Sequence, residues 1–116
     1  MKTLALIAAT AATAALATTM SAGAYAYDRE ANIDARRAEQ AYRIRHYRHT
    51  GELTLLEKWR LQAEQNRIAA TERAAERDGY ISRREARQIS EAQDRASRHI
   101  YRESHDGQKA WWRRVW

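Results

Sequence analysis

Apolar positions along this chain fall into three stretches that predict helices. In the first, Ile33, Arg37, Gln40, Ile44 and Tyr47 follow at alternating four- and three-residue steps, one face of a helix. They predict a helix from about Ile33 to His49, opening at Asp28 or Asn32; two of its five face positions are polar, so the stripe is weak. In the second, Leu61, Ile68 and Ala75 recur every seven residues and predict a helix from Leu55 to about Arg77. Leu55, Leu56 and Trp59 lie on a different face, as a middle helix with two neighbours would need. In the third, Ala86, Ile89, Gln93, Ala96 and Ile100 predict a helix from Arg83 to about Glu103, and Gly107 ends the regular part. Gln40, Gln65 and Gln93 fall inside the stripes, where burial requires hydrogen-bond partners or an edge position.

The two turns between these stretches carry the same phrase. Gly51-Glu52-Leu53-Thr54-Leu55-Leu56-Glu57 returns 28 residues later as Gly79-Tyr80-Ile81-Ser82-Arg83-Arg84-Glu85, and the offset continues through Leu61 and Ile89, Gln65 and Gln93, Arg67 and Arg95. A fixed offset of this length signals repeated supersecondary units. Gly can take the left-handed conformation that ends a helix. Thr54 or Ser82 can cap the next helix, and Glu57 or Glu85 can reach back to close a capping box. Short connections make neighbouring helices antiparallel. The expected fold is therefore all-α, three antiparallel helices in a hairpin array or small bundle over residues 27–107, with a Trp/Arg-rich tail over 108–116.

Residues 1–26 read as a secretory signal peptide. Lys2 gives the positive start, Leu4 to Leu16 the apolar run, and Ala24-Tyr25-Ala26 a small-x-small cleavage site. The run is too short and too rich in Ala and Thr to favour spanning a membrane. Cleavage after Ala26 leaves 90 residues, one small domain destined for the periplasm or the exterior. The chain has no Cys, so no disulfide supports it there, and no Pro or Phe. Ala, Arg, Glu and Gln dominate, all compatible with helix. The core is thin, about a dozen large apolar side chains at about 1.5–3 kcal/mol each. That implies modest stability or stabilisation as a homodimer.

Without Lys2 the chain carries 20 basic against 15 acidic side chains, a balance that favours anionic surfaces. A secreted protein rarely meets nucleic acid, so anionic lipid, lipopolysaccharide or an acidic protein is the better partner. The tail adds Trp111, Trp112, Arg113, Arg114, Val115 and Trp116, a Trp/Arg combination suited to a membrane interface or a partner surface; the alternative is that its rings fold back over the core. His46 and His49, three apart near the end of the first helix, can face one divalent metal ion. His99, Glu103, His105 and Asp106 close on them if the helix ends meet. Asp78 and Glu85 are the acids of the second turn, the remaining metal candidates. No nucleophile motif, phosphate loop or metalloprotease pair is present, so the chain reads as a non-enzyme without an organic cofactor.

Asp78-Gly79-Tyr80-Ile81-Ser82-Arg83-Arg84-Glu85 resembles the exit half of an EF-hand loop, which implies calcium on Glu85; the first loop position falls on Ala74, which has no oxygen ligand. The chain as a whole resembles small secreted proteobacterial proteins of unknown function. The likeness rests on Arg43-Ile44, on both Gly-containing phrases, and on Arg95-Ala96-Ser97-Arg98-His99-Ile100-Tyr101-Arg102-Glu103-Ser104-His105-Asp106. It implies a helical periplasmic protein and no activity. Leu53-Thr54-Leu55-Leu56-Glu57 is also similar to the Leu-Thr-x-x-Gln repeats of periplasmic stress chaperones. That likeness implies a basic, often dimeric helical cradle that shields protein clients in envelope stress.

Overall fold

The computed structural model describes residues 11–113. Helix α1 spans Ala11–Thr50, α2 spans Leu55–Ala75 and α3 spans Arg83–Ser104, with single 3-10 turns at Glu76–Asp78 and Trp111–Arg113. Among the described residues there is no strand, and the fold is all-α. Helix α1 begins well before Ile33 and runs unbroken through Ala26, the expected cleavage point. Residues 11–32 contain no Pro and one Gly, and are otherwise rich in Ala, so nothing in them stops a helix. Residues 1–10, the start of the segment expected to be a signal peptide, lie outside the described residues. Helix α2 stops two residues short of Arg77, because the chain tightens into the 3-10 turn before Gly79.

Both repeated phrases fold as the capping pattern requires. Thr54 Oγ1 accepts from the Glu57 amide at 3.3 Å, and Glu57 Oε2 accepts from the Thr54 amide at 2.7 Å. Ser82 Oγ accepts from the Glu85 amide at 3.2 Å, and Glu85 Oε2 accepts from the Ser82 amide at 2.9 Å. These bonds hold the Glu85 carboxyl below its ordinary range. Gly51 and Gly79 have φ of +83° and +96°, so each turn uses the left-handed region.

The aliphatic residue of each phrase is fixed by α1 in the same way. The Leu53 amide donates to Tyr47 O at 3.1 Å, and its carbonyl accepts from Arg48 at 3.1 Å. The Ile81 amide donates to Glu30 Oε1 at 3.3 Å, and its carbonyl accepts from Arg29 at 3.2 Å. One long helix thereby clamps both turns.

Contacts fix the topology. Arg36 bonds Ser90 and Asp94, Gln40 bonds Gln93, and Arg43 bonds Ser97, so α1 and α3 run parallel. Helix α2 runs against both, with Gln65 on Gln40 and His99 on Glu64. Ile33, Ile68, Ala75, Ile81, Ile89 and Ala96 form one buried apolar cluster, and Ile44, Leu53, Leu61 and Ile100 form another. Along α1 and α2 the two are separated by glutamines. Gln40 Nε2 donates to Gln93 O at 2.7 Å, Gln65 Nε2 to Gln40 Oε1 at 2.9 Å, and Gln93 Nε2 to Ile33 O at 3.0 Å. Arg37, the other polar member of the α1 stripe, reaches out to an ion pair with buried Glu72.

The expectation of a second buried face on α2 fails. Leu55, Leu56 and Trp59 do not face a neighbouring helix; they are 45%, 55% and 59% exposed. Helices α1 and α3 pack against each other, so both lie on one side of α2 and a single stripe of α2 serves them. That stripe is Glu57, Leu61, Gln65, Ile68, Glu72 and Ala75.

Candidate functional site

The parallel course of α1 and α3 brings three structures to one end of the bundle: the exit of α1, the start of α2 and the exit of α3. Glu57, Glu103 and Asp106 meet there, each with a carboxylate oxygen within 4.8 Å of the others. Glu57 is 2% exposed, and its position is set by the capping box. Its Oε2 takes the Thr54 amide, while Oε1 is buried with no hydrogen-bond partner. Burial pushes its pKa up; the Thr54 hydrogen bonds oppose this, and Asp106 adds to it. Glu103 is half-buried and Asp106 exposed, its Oδ1 accepting from the Gln108 amide at 2.9 Å.

The histidines take other partners. His46 stacks on Tyr42 at 5.8 Å and meets the edge of Tyr47, and His49 is exposed on the last turn of α1. His99 Nδ1 lies 2.9 Å from the Glu64 carboxylate, across α2 and α3. His105 stacks on Tyr101 at 4.1 Å and donates to Tyr101 O from Nδ1 at 2.7 Å. Asp78 and Glu85 belong to the α2–α3 turn. The length of α2, about 30 Å at 1.5 Å per residue, therefore separates them from His46 and His49. The four residues do not converge on one ion, and Glu85 is occupied by its cap.

The tail folds back on the first repeated turn. The Ala110 amide donates to Gly51 O at 2.9 Å, and Arg113 pairs with Glu52 at 2.7 Å. A Cβ on Gly51 would stand 2.5 Å from Arg113 Cδ and 2.9 Å from Trp112 Cη2. Trp112 is thus half-buried against the turn, whereas Trp111 is 69% exposed. Arg114 and Trp116 lie outside the described residues. On the outer face of α2 at this end, Leu55, Leu56 and Trp59 form an apolar patch beside Lys58 and Arg60.

No family model, curated protein or solved structure matches the chain. Among the described residues no helix is long and apolar enough to cross a membrane. The carboxylate cluster was only half visible in the sequence. Glu103 and Asp106 stood among the candidates, but the spacing of Glu57 to Thr54 accounts for that residue as a cap and gives no sign of a second role.

Glu72 is the other buried acid, 2% exposed. Burial raises its pKa despite the attraction of Arg37, and Asp34 and Glu76 raise it further. A raised folded-state pKa means that the unfolded chain loses the proton first. Stability from this group is then full below the ordinary value of 4.5 and falls as pH rises through the folded value. Glu72→Gln should accordingly melt at a higher temperature than the wild type at pH 7. That advantage should shrink to nothing in melts taken below pH 4.5. A variant that melts lower at pH 7 would show that the Arg37 pair outweighs desolvation.

Proposed function

We propose that this is a non-enzymatic helical protein of the periplasm or exterior that binds a protein partner or client, with a role in envelope stress. The observation that carries this reading is the exposed Leu55, Leu56 and Trp59 patch on α2. Three large apolar side chains on adjacent turns lose hydration on docking, worth about 25 cal/mol per Å² of apolar surface covered. Lys58 and Arg60 rim the patch in a chain of net charge +6, which suits an acidic, amphipathic segment of an unfolded or partly folded protein. The bundle's other large aliphatic side chains supply the core, so the patch can be occupied without unfolding it.

The test is suppression of aggregation of an acidic, reductively unfolded client, followed by light scattering. The variant Leu55→Ser/Leu56→Ser/Trp59→Ser should lose most of the suppression while melting within a few degrees of the wild type. Equal suppression by the variant, or none by the wild type, would end this reading.

A further inference from the structure

We propose that Glu57, Glu103 and Asp106 form a binding site for a hard divalent cation, calcium by its donor set, which ties the start of α2 to the exit of α3. Two observations carry it. The first is the convergence of three carboxylates within 4.8 Å. Oxygens that close can share the shell of an ion that binds oxygen at about 2.3–2.6 Å. The second is the state of Glu57. It is 2% exposed, held rigid by its capping box, and keeps a buried Oε1 with no donor. A buried carboxylate oxygen ordinarily finds a hydrogen bond or a cation.

The chain has ample basic residues, yet among the described residues none forms an ion pair with this cluster. Among the described residues every ion pair involves other acids; the comparably buried Glu72 also keeps a partnerless Oε1 but has Arg37 on its Oε2. Leaving three acids together without Arg or Lys, in a protein of net charge +6, is an arrangement that a divalent ion satisfies and a salt bridge does not. The site also faces the C-terminal end of α3, where the helix dipole favours positive charge. The donors are all oxygen, with no Cys in the chain, which selects calcium or magnesium over zinc or copper. Asp106 Oδ1 is held by the Gln108 amide, and irregular oxygen sets of this kind suit calcium better than the strict octahedron of magnesium. Bound there, the ion joins the first turn of α2 to the segment that leads into the folded-back tail. The inference stands apart from the partner-binding reading, since it uses none of the patch residues and its readout is not client binding.

The test is a thermal melt of the full chain in chelator, in about 5 mM calcium and in about 5 mM magnesium, above the dissociation constants typical of extracellular sites. Calcium should raise the melting temperature by about 4 °C or more. Asp106→Asn and Glu103→Gln, both away from the buried core, should fold with native helicity and lose that rise. The His46→Ala/His49→Ala double variant should keep it. No rise with calcium, an equal rise in Asp106→Asn, or a rise with magnesium as large as with calcium would overturn the assignment.

Discussion

Gln40→Leu should lower the stability of the bundle by about 2–4 kcal/mol, a fall in melting temperature of about 10 °C or more for a domain of this size. Gln40 is 1% exposed; it donates to Gln93 O and accepts from Gln65 Nε2. Leucine fills similar volume but removes both functions. Gln65, 8% exposed, is left with a donor group and no acceptor, a desolvation cost of about 1–3 kcal/mol. A second variant separates this cause from simple repacking. Replacing Gln40, Gln65 and Gln93 together with Leu removes all three polar side chains, so no amide is orphaned, and it should be more stable than Gln40→Leu alone. The check is urea unfolding by circular dichroism. A loss under about 1 kcal/mol for the single variant would show that the layer is only tolerated and adds little. A triple variant that folds but no longer melts cooperatively would assign the glutamines the task of fixing helix register.

The fold was legible because its information is local and repeated. Gly, an aliphatic residue, Thr or Ser, and Glu occur together twice, and each time the chain makes a left-handed turn, a capped helix start and a buried aliphatic plug. The spacing without the phrase is not enough. Gly107 stands 28 residues beyond Gly79 and also has positive φ, but no Thr or Ser follows in the capping position, and among the described residues only a 3-10 turn follows it. Gly23 stands 28 residues before Gly51 and lies inside α1. The start of α1 differs because periodicity reports where a helix packs, whereas Ala-rich sequence continues a helix with no apolar stripe to mark it.

The site was less legible because it depends on which helix ends meet. Glu57 belongs to the cap by sequence spacing, and only the parallel course of α1 and α3 sets Glu103 and Asp106 against it. The same placement assigns the tail: Trp112 and Arg113 rest on Gly51 and Glu52, a contact across about sixty residues of chain that no local pattern encodes. The exposed patch was misread for a related reason. Leu55, Leu56 and Trp59 are as hydrophobic as the core, and helical spacing alone cannot tell a second buried face from a docking face.

That ambiguity makes Leu53 the decisive contrast. Leu53→Ala should cost about 2–5 kcal/mol, enough to leave a small domain largely unfolded at growth temperature. Leu53 is 0% exposed, packed with Ile44, Leu61 and Ile100, while its backbone closes the α1–α2 turn on Tyr47 and Arg48. Truncation leaves a cavity that the surrounding helices cannot easily fill, because the capping box and the Gly51 turn hold the backbone beside it. Leu55→Ala and Leu56→Ala, two and three residues on, remove the same atoms from surfaces that are 45% and 55% exposed. Their cost should stay within about 0.5 kcal/mol. The measurement is the urea midpoint of the three variants against the wild type. Equal losses at all three positions would place Leu55 and Leu56 in a buried interface in solution. The patch on α2 would then be the seam of a homodimer, with no room there for a client.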